Sequence, residues 1–530
     1  MKKQKKKENV ELKKTEEQTK IDASLKYSVC DGSANSAMIG VGEQYVSPYA
    51  ISLNATSSQI GLLSSLPPLA GAIFQLFSPK TIDWMKSRKN VVLIAVFIQA
   101  LMWLPILFIP FLIPLLGVNA VILFFTLYAV FGSFTSPAWM SWMGDLVPEN
   151  RRGKYFGLRT KITSAVLFLG IVGGGLILNK LSSLSLFWSF GILFVSAMIF
   201  RLISWYFLFK MYEPKYEPRP NAYFSFTDFI KRLSKSNFGH FVMYMCAMNF
   251  AVYIASPFFA LYLLRDLNWT YLQYMIYLGA SVLAAYITMT AWGEYSDRFG
   301  NKIIFSICGI LVPIIPFLFL LSTSWWFLVA VNAFSGLAWA GFNLSAANFI
   351  FDTVTPEKRS RCTAYYNVLN GISIFLGAMF GSLLLIWIKN PLVFISVIPI
   401  VFFISGAARL LVSLIFLPKI REVRQVEKAH EKELFWRLVA IEPMRGVVGE
   451  ATGGFQKGVQ TIGMSANFVS RVGTTAVKKG KITVQKEIKT AEKIIQKEFM
   501  TIKEHRDKYK KELLKNSPHI IEKNYKKKMK

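Results

Sequence analysis

Leu53-Asn54-Ala55-Thr56-Ser57-Ser58-Gln59 returns 214 residues later as Leu267-Asn268-Trp269-Thr270-Tyr271-Leu272-Gln273, with Leu, Asn, Thr and Gln at the same spacing. Asp83 and Asp297 stand at that same offset. Ser-Pro-aromatic precedes each copy, as Ser47-Pro48-Tyr49 and Ser256-Pro257-Phe258, 209 residues apart. Further along, Pro148-Glu149-x-Arg151 answers Pro356-Glu357-x-Arg359, and Arg201-Leu202 answers Arg409-Leu410, each by 208. Each match alone is weak. Their shared order and nearly constant offset make a direct internal repeat, so the chain is built from two related halves.

Composition says what kind of halves these are. Of 530 residues, 53% are hydrophobic and only 17% charged, against roughly 25% charged in an average soluble chain. A single soluble core rarely grows past about 250–300 residues. Apolar windows of about twenty residues recur twelve times, at 28–53, 58–80, 90–114, 118–144, 157–179, 184–210, 238–264, 270–292, 303–322, 325–351, 363–388 and 391–417. That is the pattern of an all-α polytopic membrane protein with twelve spans. The first window is interrupted by Asp31, Asn35 and Glu43.

The net charge of +30 invites a nucleic-acid reading, but its distribution opposes one. The basic residues flank the apolar windows or lie in the two tails. With the N-terminus inside, the five inner loops carry four, five, six, two and three basic residues in chain order, while the six outer loops hold Lys180, Arg265 and Lys389. This asymmetry follows the positive-inside rule and predicts both termini in the cytoplasm of a plasma-membrane protein. The first 25 residues mix Lys with Glu, which is unlike a cleavable signal. The expected organisation is a basic N-terminal tail 1–27, a six-helix half 28–210, a Pro- and charge-rich linker 211–237, a second half 238–418 and a basic C-terminal tail 419–530. Cys30, Cys246, Cys308 and Cys362 are scattered singly, so no disulfide or metal site is expected.

Between spans 8 and 9 the chain reads Gly293-x-x-x-Asp297-Arg298-x-Gly300-x-Lys302. With six plus six helices and a direct repeat, this resembles the major facilitator superfamily and its loop signature G-x-x-x-D-R-x-G-x-[RK]. The resemblance covers about 28–418 and implies halves related by an axis along the membrane normal, with a substrate site between them near mid-depth. It also implies a conformational latch at Gly293, Asp297, Arg298, Gly300 and Lys302. In that latch Gly293 would let helices approach closely and Gly300 would permit a tight turn. The first-half copy keeps Asp83, Arg88 and Lys89, but Ser87 replaces the glycine and one residue is inserted.

No catalytic constellation, phosphate loop or dinucleotide fingerprint is present, so an enzyme is not expected and neither is a cofactor. Transport would have to be driven by an ion gradient or by the solute's own gradient. Intramembrane acids default to function. Glu43 lies twelve residues beyond Asp31, ~18 Å along a helix, which puts it near mid-depth, where an ionised unpaired carboxylate is costly. Glu43 is therefore the candidate proton carrier, with Asp31 beside it as a second; the bland readings are a protonated packing residue for Glu43 and a solvated or helix-terminal charge for Asp31. Arg201 and Arg409 read as snorkelling or structurally paired.

The family fold lines its cavity with spans 1, 4, 7 and 10. Span 1 offers Asn35 and Tyr45; span 7, Asn249 and Tyr253; span 10, Asn332, Ser335, Trp339 and Asn343 at i, i+3, i+7 and i+11. These stripes are cavity lining or, on the bland reading, helix-packing glue. Such a cavity suits a neutral or cationic amphipathic organic solute.

In the tail, an eleven-residue rhythm (Phe455, Ala466, Val477, Ile488, Phe499) makes one apolar stripe among lysines. It reads as a helix on anionic lipids of the inner leaflet, with a coiled coil or a disordered tail as rivals. The expected function is a monomeric secondary transporter of a small organic solute, coupled to protons or another ion. The alternative is a transporter-like sensor or anchor with no transport cycle.

Overall fold

The repeated seven-residue stretch builds the same local structure twice. Asn54 and Asn268 both adopt left-handed backbone, at φ 60° and 52°, a region asparagine tolerates better than most residues. Thr56 and Thr270 then cap the helices that follow. Each threonine hydroxyl accepts the backbone N–H three residues on at 3.2 Å, and each glutamine side-chain oxygen accepts the threonine N–H at 2.9 Å. The reciprocal box satisfies N–H groups that a first helical turn leaves unpaired.

The computed structural model describes residues 2–148, 152–181, 185–214, 225–388 and 396–423, with no strand among them. The first half comprises α1 (Lys2–Val41), α2 (Val46–Ser52), α3 (Ser57–Gln75), α4 (Ser78–Met85), α5 (Arg88–Leu101), α6 (Trp103–Leu112), α7 (Gly117–Leu146), α8 (Arg152–Leu181) and α9 (Leu186–Lys210). A short α10 (Phe226–Arg232) precedes the second half. That half is α11 (Asn237–Tyr253), α12 (Phe258–Leu261), α13 (Tyr271–Phe299), α14 (Asn301–Leu318), α15 (Trp325–Thr353), α16 (Pro356–Trp387) and α17 (Ile398–Phe416). The eleven-residue stripe of the tail and the region 215–224 of the expected linker lie outside the described residues.

All twelve expected spans fall on helices. Ten are long and apolar enough to cross a membrane as they stand, and α3 with α4, bent by 43°, makes an eleventh. The first span is α1 continued by α2, diluted by its polar residues. It differs from expectation in two ways: its helix begins at Lys2, far before residue 28, and it breaks at Gly42, where a short 3₁₀ turn Glu43–Tyr45 intervenes. Span 7 breaks at the matching place, between Tyr253 and Phe258, and ends in a π turn, Tyr262–Asp266. Pro48 and Pro257, equivalent in the repeat, stand beside the two breaks and withhold the backbone donors that would bridge them.

Packing repeats the symmetry. α1 packs on α8 and α9 as α11 packs on α16 and α17; α3 packs on α7 as α13 packs on α15. Glycines allow the first of these contacts in both halves. A Cβ on Gly170 would lie 3.1 Å from the Gly40 Cα, and one on Gly377 would lie 2.3 Å from the Phe250 carbonyl oxygen. The halves join along α3–α16 and α8–α13, and α2 meets α12 at the end away from the basic loops, here the far end. Leu123, Leu169, Leu411 and Leu414 are more than half exposed, as lipid-facing positions are in a multi-pass membrane protein.

Candidate functional site

Two cavities flank the breaks. The first, about 320 Å³, lies within the first half and is lined by Asp31, Asn35, Glu43, Gln99, Tyr128 and Arg201, among others. Its chemistry lies in two sets of polar contacts that share the cavity. Glu43 accepts a hydrogen bond from the Tyr128 hydroxyl at 3.1 Å. Arg201 donates to the Asn35 side-chain oxygen at 2.5 Å, to the Gln99 side-chain oxygen at 2.8 Å and to Ser204 at 3.0 Å. Ser204 donates in turn to Asp31 at 2.6 Å, and Arg159 stands 3.5 Å from the other Asp31 oxygen. With both acids ionised the cluster holds two positive and two negative charges; protonating Glu43 leaves it one positive charge in excess. Charge separation at this depth is expensive, so the state of Glu43 is tied to its neighbours.

Asp31 is 4% exposed and deep within α1, so neither the solvated nor the helix-terminal reading describes it. Arg201 is buried and hydrogen-bonded, and it does not snorkel.

The second cavity, about 410 Å³, lies between the halves, within the size range of small-molecule sites. Gln44, Ser47 and Ser64 face it from the first half, and Asn332, Ser335, Trp339, Tyr274 and Arg409 from the second. Asn332 is held by donating to the Tyr277 carbonyl at 2.6 Å. The breaks matter here: Gln44 and Ser47 come from the joint in span 1, Ser256 and Pro257 from that in span 7.

Several expected lining residues are elsewhere. Tyr45 has no exposed surface, donates to the Ile171 carbonyl at 2.5 Å and packs on Gly174, locking α1–α2 to α8. Asn249 donates to the Asn370 side-chain oxygen at 2.7 Å, tying α11 to α16. Tyr253 lines neither cavity, and Asn343 is exposed beyond them. A helix has neighbours on both flanks, and here packing took Tyr45 and Asn249. Conversely, Gln99, Tyr128, Tyr274 and Arg409 line cavities without standing out in a polar stripe. For Arg201 and Arg409, their shared place in the repeat was the available signal.

The loops at the basic end form matched caps. Glu213 accepts hydrogen bonds from the Ser87 hydroxyl at 2.7 Å and from the backbone N–H of Arg88 and Lys89 at 2.6 and 3.1 Å. Glu422 accepts the Lys302 N–H at 2.8 Å. Each carboxylate sits on a helix N-terminus, where the macrodipole favours an anion. Arg88, 1% exposed, pairs with Asp145 at 2.5 Å, and Asn301, in the matching place, donates to Asp352 at 2.6 Å. Gly300 takes positive φ (91°), as a tight turn requires. In the first half its work is divided: Lys86 takes the left-handed backbone (φ 52°) and Ser87 caps α5. Asp83, Asp297 and Arg298 are exposed at this end. Gly293 departs from expectation, since a Cβ there meets nothing within 4 Å; in this conformation it brings no helix close.

A family model described as Major Facilitator Superfamily matches residues 34–285 and 241–448. An uncharacterized transporter of Buchnera aphidicola subsp. Acyrthosiphon pisum (strain APS) is 30% identical over 107 residues, which is 20% of this chain; the match spans 26% of that relative's length. Among solved structures, a variant of the nucleoside transporter NupG matches with a TM-score of 0.59 at 14% identity, over 75% of this chain and 100% of that one. A bacterial homologue of the iron transporter ferroportin, in an inward-facing state, matches at 0.55 and 13% identity, over 76% and 98%. Identities this low carry the fold and no more.

Proposed function

The chain belongs to the major facilitator superfamily of membrane transporters, and from that premise we propose that it moves a small organic solute by alternating access, with protons as the coupling ion and Glu43 as their carrier. The observation that carries the reading is the position of Glu43. It is the first residue of the joint in span 1, it accepts a hydrogen bond from Tyr128, and it shares a polar cavity with Arg201, Asp31 and Arg159. A proton gained or lost there changes the charge balance at a hinge of the helix that borders both cavities.

On this reading 28–210 and 238–418 are the two moving halves, the basic end faces the cytoplasm and the protein works as a monomer in the plasma membrane. The far-end contacts support an inward-facing arrangement: Met275 of α13 packs against Gly175 of α8, and Tyr271 sets its ring edge-on to Phe190. The solute site is the cavity between the halves, where Asn332, Ser335 and Trp339 meet the span 1 joint.

A test that needs no known solute uses spin labels at Leu158 of α8 and Met289 of α13, both exposed and in opposite halves, on a background lacking the four native cysteines. In proteoliposomes the inter-label distance should redistribute between neutral and acidic buffer. Glu43→Gln, a permanent mimic of the protonated state, should hold the acidic distribution at both. An unchanged pH response in Glu43→Gln removes the residue from the mechanism. A single rigid distance in every condition would instead favour a sensor or anchor without a cycle.

A further inference from the structure

The two repeat-related arginines are matched in place and unmatched in charge. Arg201 shares its surroundings with Asp31, reached through Ser204, and with Glu43 across the same cavity. Arg409, 2% exposed, is surrounded by neutral groups. Its Nε donates to Ser405 at 3.1 Å, and its two terminal nitrogens reach the carbonyls of Val252 at 3.3 Å and Val312 at 3.5 Å. The offset of 209 that relates Ser47-Pro48 to Ser256-Pro257 shows what was replaced: Glu43 is answered by Val252, and Asp31 by His240. The second half has kept the cation and dispensed with both acids.

A buried guanidinium without a counter-ion costs several kcal/mol by general estimates. The carbonyl of Val252 lies at the end of α11, so a helix C-terminus faces the arginine, but that supplies at most about half a negative charge. Two of the three acceptors are at long distance, and a guanidinium offers five N–H donors. Among the described residues no carboxylate is given to Arg409. It does, however, border the cavity between the halves, whose walls carry Trp339, Tyr274, Tyr277 and Phe259 beside Asn332 and Ser335.

We propose that Arg409 is the anion-recognition residue of this cavity and that the transported solute is a small organic anion, a carboxylate or phosphate ester on a flat apolar body. The missing negative charge of the second half is supplied by the solute. The guanidinium fork matches a carboxylate or phosphate in two parallel hydrogen bonds, while the aromatic walls accept the apolar body. This rests on the transport reading above and deepens it, and it reverses the expectation of a neutral or cationic solute. It also separates the duties: the first-half cavity carries the proton, the central cavity the anion.

The test compares ligands matched in shape and differing in charge: benzoate, phthalate and phenyl phosphate against benzamide and benzylamine. Binding to the purified full chain is read by thermal stabilisation and by tryptophan fluorescence, which Trp339 makes sensitive to the cavity. The anions should bind at least ~10-fold more tightly than the amide or amine, the scale of a lost charged hydrogen-bond pair. Arg409→Gln should abolish the preference, and Arg409→Lys should retain part of it. Ser335→Asp, which leaves the arginine in place, should weaken anions and favour benzylamine; it keeps the test decisive where Arg409→Gln fails to fold. Equal binding of amide and anion by the wild type, or an anion preference that survives Arg409→Gln, overturns the proposal. Neither result touches the label distances, which alone decide the transport reading.

Discussion

Removing the Glu213 carboxylate should loosen the basic end of the first half by an amount that can be worked out from its contacts. It accepts three hydrogen bonds, from the Ser87 hydroxyl and from the N–H groups of Arg88 and Lys89, at 2.7, 2.6 and 3.1 Å. Its side chain is 17% exposed, and the Arg88 Nε lies 3.6 Å away. A hydrogen bond to a charged group is worth about 1.5–3 kcal/mol when buried, and an anion at a helix N-terminus about 0.3–1 kcal/mol at the surface. Partial exposure, and the Asp145 contact that Arg88 keeps, bring the sum down. Glu213→Ala should therefore cost about 3 kcal/mol. Glu213→Gln retains an oxygen for the two backbone N–H groups and loses only the charge, so it should cost about 1 kcal/mol. Denaturant unfolding of the purified protein, followed by tryptophan fluorescence, measures both. If the two substitutions cost the same, the hydrogen bonds contribute nothing and the argument fails. If alanine costs nothing, the cap is incidental.

Two further outcomes follow from the same geometry. Gly377→Ala forces a methyl to 2.3 Å from the Phe250 carbonyl and should destabilise by about 1–3 kcal/mol, the usual range for overpacking. Gly293→Ala meets open space and should be neutral or stabilising by up to ~1 kcal/mol; the unfolding midpoint should fall for Gly377→Ala and hold or rise for Gly293→Ala. Thr56→Ala and Thr270→Ala, which remove identical caps, should each lose about 1 kcal/mol, and unequal losses beyond that scale would show that the two boxes differ in weight.

The fold was legible where its causes are local. Span lengths, loop charge and a repeated capping box are properties of short stretches, so twelve helices in two halves could be read without tertiary information. Glu43 and Asp31 stood out because carboxylates are rare inside apolar windows. Arg201 and Arg409 stood out equally, but their surroundings did not: whether an intramembrane arginine snorkels, pairs or borders a cavity depends on helices far away in sequence. Tyr45 and Asn249 sit on spans that were expected to line a cavity, yet they turn to α8 and α16, because one face of a helix is shared among several neighbours. Tyr128 and Tyr274 lie in aromatic-rich stretches where nothing sets them apart. Glu213 and Glu422 could have been found, since they follow their spans at an offset of 209 and the repeat was already in view. Gly293 shows a different boundary, for a motif can encode a contact that this conformation does not make.

The broken first span has a mechanical consequence. Beyond the joint at Glu43, α2 is a rigid rod of seven residues, ~10 Å long at 1.5 Å per residue. A swing of about 10° at the joint displaces its tip by roughly 2 Å, by the same rod length, without disturbing the long α1 below. α2 presses on α12, itself a short rod above the joint in span 7. Two short rods thus meet at the far end, each beginning at a break beside a proline. Glu43 stands at the fulcrum of the first, so under the proposed coupling a proton gained there acts at the pivot, where a small local change moves the rod's distant tip.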